Sequence, residues 1–119
     1  MEFAFTTDED TAKLFEIVVE GLKRYFGHSE AEAISLVNDF YLHSPYRLED
    51  DWYHHDGAYG TAARIHYYGF LNGEDGGLDN WRRKEGYWNI PDEFMEYFRD
   101  HYYENDRPLI AELWKPKPR

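Results

Sequence analysis

Apolar positions recur at spacings of three and four along much of the chain. Phe15, Val18, Val19, Leu22, Tyr25 and Phe26 form the first such run, which is the period of a helix burying one face. Thr7 or Asp8 precedes it as an N-cap, and Asp8, Glu9 and Asp10 bring negative charge to the end where the helix dipole favours it. Gly27 follows as a residue free to turn left-handed and stop the helix. Ser29 and Glu32 then have the spacing of a capping box, and Ala33, Leu36, Val37, Phe40 and Tyr41 give a second inward stripe that ends before Pro45. With only Gly27 and His28 between them, the two helices should form an αα-hairpin.

Ala58 to Leu71 reads as a third helix. Ala58, Ala62, Ile65 and Gly69 lie on one side of it, and Tyr59, Ala63, Tyr67 and Phe70 on another. Asn72 to Gly77 is a loop by composition, and Trp81 to Ile90 fits neither the helical nor the strand period. Pro91, Asp92 and Glu93 open a fourth helix with Phe94, Met95, Phe98 and His101 or Tyr102 inward, closed by Asn105 and Pro108. These runs predict an all-α, mainly helical chain with less than about a tenth strand. The expectation is a small four-helix domain over 1–108, opening with the hairpin and irregular at 45–57 and 72–90. A tail, 109–119, should dock or be partly disordered, because its alternate prolines prevent helix continuation. Phe15, Leu22, Val37, Phe40 and Phe98 are the expected core.

Composition narrows the chemistry. The chain has 119 residues, 24 acids against 13 Lys and Arg, a formal net charge of −11 and no cysteine. One domain of this length buries about two-thirds of its unfolded surface, enough for a core without disulfides. Sulfur redox chemistry and thiolate metal sites are excluded. No apolar stretch approaches the roughly 20 residues of a membrane span, and the first ten residues lack the basic and apolar regions of a secretion signal. A cytoplasmic protein is expected. Residues 1–56 carry a net charge of −9 and residues 57–119 only −2, so the negative field belongs to the N-terminal half.

The candidate chemical motifs are weak. Asp50, Asp51, His54, His55 and Asp56 are metal-ligating types, but adjacent histidines point about 100° apart on a helix and to opposite faces on a strand. No H-E-x-x-H or paired Glu-x-x-His is present, so no metal and no cofactor is assigned. A nucleophile elbow is absent, and the glycine loop lacks the lysine of a phosphate cradle and the twelfth-position Glu of a calcium loop. A chain at −11 is opposed to nucleic acid, which is bound through Lys and Arg. Arg82, Arg83 and Lys84, beside Trp81 and Trp88, are expected to form salt bridges with the acidic half.

What remains is an aromatic surplus of 11 Tyr, 8 Phe and 4 Trp on an acidic chain. Neighbouring pairs such as Tyr67 with Tyr68 and Tyr87 with Trp88 cannot both face one core. Exposed Tyr and Trp are the residues enriched at binding hot spots, and surrounding acids steer a basic partner. The candidate partner-binding face is Glu49, Asp50, Asp51, Trp52, Tyr53, His54, His55, Asp56 and Tyr59. In composition the chain resembles the immunity proteins with which bacteria block toxins, and the DNA-mimicking inhibitors of phage. That likeness implies an acidic module, monomer or homodimer, that binds a basic protein. Two other readings stand beside it: a small hydrolase or metal-dependent enzyme using Asp51, His54, His55 and Asp56, and an oligomerising structural domain.

Overall fold

The computed structural model describes residues 2–43 and 57–102. It is all-α, with 74% of the described residues helical and no strand among them. Five helices form it: α1 (Glu9–Phe26), α2 (Glu30–His43), α3 (Gly57–Arg64, continued by a π-helical turn, Ile65–Phe70), α4 (Leu78–Glu85) and α5 (Asp92–Tyr102). The fourth expected helix is thus α5. The irregular stretch assigned to 72–90 is corrected, because its middle, Leu78–Glu85, is a helix.

The start and stop of α1 follow from side-chain chemistry. Asp8 accepts a hydrogen bond from the Thr11 amide at 3.2 Å, and Gly27 sits in the left-handed region at φ 74°, its N–H directed to the Leu22 carbonyl. Glu9 and Asp10 lie in the first turn and Lys23 and Arg24 in the last, each sign at the end the dipole favours. At α2 the Ser29 hydroxyl accepts from the Glu32 amide at 3.1 Å. The other half of the expected capping box is replaced, since the Glu32 carboxylate turns to the imidazole of His28.

Helix α1 is the axis of the fold and packs against α2, α3 and α5. Leu14, Phe15, Val18, Val19 and Leu22 are therefore buried on more than one stripe. Each large apolar side chain buried in this way contributes about 1.5–3 kcal/mol. The crossing of α1 with α3 is close because the contact residues are small. A Cβ placed on Gly21 would lie 3.4 Å from the Ala62 Cβ and 3.2 Å from the Phe94 ring. Val37 and Ala33 complete the core from α2, with Phe40 partly buried beside them. The first residues cover the α1–α2 seam: Phe5 stacks on Tyr41 at 3.9 Å and meets Phe15 edge-on, and the Ala4 amide donates to Asn38 Oδ1.

On α5, Phe94 and Tyr102 are buried and Phe98 is partly buried. Of the expected alternatives His101 or Tyr102, the buried one is Tyr102, but Met95 is 46% exposed and does not join the core as the helical stripe predicts. The reason is geometric. An eleven-residue helix lying chiefly against α1 buries a narrow face, and Met95 falls beside it next to Phe94. Asn105, Pro108 and the 109–119 tail lie outside the described residues.

Candidate functional site

Most of the partner-binding face read from the sequence, Glu49 to Asp56, lies outside the described residues. Its last member, Tyr59, is inside them and is placed differently from the expectation. It is 3% exposed, its ring meeting Tyr25 edge-on at 5.5 Å and leaning on Phe26 and Phe94. Burial raises its phenol pKa, with the Tyr87 hydroxyl adding to the shift. Tyr59 is therefore a core residue and not an exposed anchor.

Exposed apolar side chains appear instead where α3 ends. The buried run Ala58–Ala63 of α3 continues, past the half-buried Arg64, into Ile65, His66 and Tyr67. Here the helix widens into the π turn. The Leu71 amide donates to the His66 carbonyl at 2.9 Å, five residues back, and the Gly73 amide to the Tyr67 carbonyl. Beyond the half-buried Tyr68, the widened turn leaves Phe70 and Leu71 outside, 47% and 45% exposed. Gly69, against the Leu36 side chain of α2, lets the turn lie on its neighbour. The loop that follows carries Glu74 and Asp75, and it is pinned back on the turn by Tyr67 Oη donating to the Glu74 carbonyl.

Beneath Phe70 lies a chain of titratable groups. The Glu32 carboxylate contacts Nδ1 of His28, and Nε2 of His28 lies 2.7 Å from Nδ1 of His66. Both imidazoles are buried, while the Glu32 side chain is 47% exposed. Phe70 meets His28 edge-on at 4.7 Å, and Phe26 and Phe70 stack on either neighbourhood of His66 at 4.8 and 5.4 Å. Burial pushes the His66 pKa down, and the nearby His28 adds to that effect. With both rings neutral, one tautomer satisfies the chain: His28 Nδ1–H donates to Glu32, and His66 Nδ1–H donates to His28 Nε2. Walled by aromatic rings, the pair ties the α1–α2 junction to α3. Among the described residues no group of three His, Asp or Glu is arranged to hold a metal ion.

The basic cluster on α4 also departs from expectation. Arg82 and Arg83 lie over the Trp88 ring at 5.3 and 4.1 Å, and Arg82 Nε donates to the Tyr87 carbonyl at 3.1 Å. Among the described residues their partners are an indole and backbone carbonyls, and the expected salt bridges to acidic side chains are not found there. A separate cavity of about 440 Å³ opens between α1, α3 and α5, beside Tyr59 and Phe94.

No helix among the described residues is long and apolar enough to cross a membrane. Comparison with protein-family models, curated proteins and solved structures finds no match to this chain.

Sequence reading missed the Phe70 surface because it treats every helical run as 3.6-periodic.

Proposed function

We propose that this protein is a small acidic binding module, acting in the cytoplasm, that docks on a basic protein through the apolar step of Phe70 and Leu71. One observation carries the reading: the π turn presents two consecutive large apolar side chains to solvent, with the Glu32 carboxylate joined to the ring system beneath them. A pair of exposed apolar residues next to charge is the usual composition of a contact centre with a polar rim. The net charge of −11 supplies long-range attraction for a basic surface and repels nucleic acid. Glu74 and Asp75, in the adjoining loop, add to the same rim. The module works as a monomer or homodimer and needs no cofactor for this role.

The test begins with a partner recovered at low salt, followed by binding kinetics. Phe70→Ser with Leu71→Ser should raise the off-rate at least tenfold. Added salt and Glu32→Gln should act mainly on the on-rate, because exposed charges steer encounter and are screened beyond about 8 Å at physiological salt. Unchanged kinetics in the Phe70 and Leu71 double variant would overturn this face. If Asp50→Asn, Asp51→Asn and Asp56→Asn together remove binding while that double variant does not, the contact belongs to Glu49–Asp56.

A further inference from the structure

The cavity between α1, α3 and α5 has the form of a small-molecule site, and the geometry points to an amphipathic monocarboxylate as its ligand. This site is separate from the Phe70 surface and does not depend on it. Its volume of about 440 Å³ falls in the range of ligand pockets, and Leu14, Tyr59, Phe94 and Phe98 give it apolar walls. It opens to solvent beside Ile90 and Met95, both of them exposed.

The polar group at its edge selects the ligand. Arg99, half-buried on α5, lines the cavity together with the exposed Met95. In a chain with 24 acids, Lys23 and Arg24 of α1 are paired, Lys23 with Glu20 and Glu30 and Arg24 with Glu20. Arg99 has no ion pair or hydrogen bond among the described residues. A guanidinium presents a planar fork that matches a carboxylate, and its charge is effectively permanent. An apolar body inside the cavity with a carboxylate on Arg99 satisfies both surfaces together. A cationic amphiphile would meet the guanidinium with like charge, and a neutral one would leave its donors to water. The ligand class is therefore a monocarboxylic acid with a medium-length alkyl chain or an aromatic body.

Titration calorimetry with octanoate, 1-octanol and octylammonium tests this on the full chain. Octanoate should bind saturably, and more tightly than octanol. Arg99→Gln should weaken octanoate about ten- to a hundredfold, the value of a charge-assisted pair, and leave octanol unchanged. Arg99→Lys should keep part of the preference as a folded control that retains the charge. Shifts of the Met95 methyl and Phe94 ring resonances should saturate with the same affinity, which separates the cavity from general detergent-like adsorption. Octanoate no tighter than octanol, an undiminished affinity in Arg99→Gln, or saturation without shifts at Met95 and Phe94 would each overturn the assignment. Loss of octanoate binding with partner kinetics intact would leave the Phe70 reading standing, and the reverse result would leave this one.

Discussion

The imidazoles of His28 and His66, 38 residues apart in sequence, meet nitrogen to nitrogen at 2.7 Å in the interior. Only one proton can lie between those two atoms. Protonating both rings would place two N–H donors face to face, in surroundings where burial already disfavours charge.

Acid should therefore weaken the fold. The His66 pKa is lowered in the native state from its ordinary value of 6.5, so below that value the unfolded chain binds a proton that the folded one resists. The contribution is fully present above about pH 6.5 and is lost as the pH falls through the native value. Urea melts at pH 7.5, 6.5 and 5.5 should show a falling midpoint, and the ring resonances of His66 should titrate below 6.5. A His66 midpoint above 6.5 would refute the lowered value.

At the alkaline end the controlling contact is Tyr25 with Glu93. The phenol donates to the Glu93 carboxylate at 2.9 Å and joins α1 to α5. Burial, and then this hydrogen bond to an anion, push its pKa up from 10.0 to about 12. A raised native pKa means stability held below about pH 10 and lost as the pH climbs through about 12. Tyr25→Phe keeps the ring contacts with Tyr59 and Phe94 and should cost about 1 kcal/mol at neutral pH. The variant's melting temperature should also fall less steeply between pH 10 and 12.

Core truncations separate the parts of the fold that the helical period reveals from those it does not. Leu22 is fully buried, as its place in the α1 stripe predicts, and Leu22→Ala should cost about 2–5 kcal/mol. Phe94→Ala should cost about 3–5 kcal/mol for the same reason. Met95→Ala, despite occupying the same predicted stripe, should stay within about 0.5 kcal/mol because the side chain is in solvent. Denaturant melts of the three variants decide the order.

The contrast has a physical source. The first two helices were legible because capping residues and a long apolar stripe agree at Asp8, Gly27 and Ser29, and each of those signals is local. Helix α4 was not, since Leu78–Glu85 has one buried residue, Leu78, and its Arg82 and Arg83 stack on a tryptophan beyond the helix end. Its inward side is only Leu78 and the partly buried Trp81, too short a stripe to show a period. The His28–His66 pair and the α1–α3–α5 cavity depend on which helices become neighbours, and a single sequence does not state that. Tyr59 reads as exposed because it closes the acidic, aromatic run that begins at Glu49, whereas α3 is enclosed nearly all round.

Gly73 gives a test of the loop that follows the π turn. A Cβ at this position would lie 2.2 Å from Cζ of Tyr67 and 2.4 Å from both Cε atoms, closer than any carbon contact. The ring is held by Trp81 at 5.2 Å and by its hydroxyl's bond to the Glu74 carbonyl, so it cannot step aside without losing both. Gly73→Ala should therefore cost about 1–3 kcal/mol, the scale of overpacking strain. Gly76→Ala should also destabilise, but for another reason: its φ of 80° is unfavourable for a side chain, while no atom lies within 4 Å of a Cβ there. Combining each substitution with Tyr67→Ala distinguishes the two causes. The cost of Gly73→Ala should largely vanish in the Tyr67→Ala background, a coupling that marks direct contact, whereas the cost of Gly76→Ala should persist unchanged. Additive energies for the Gly73 pair would mean that the loop does not lie against the Tyr67 ring.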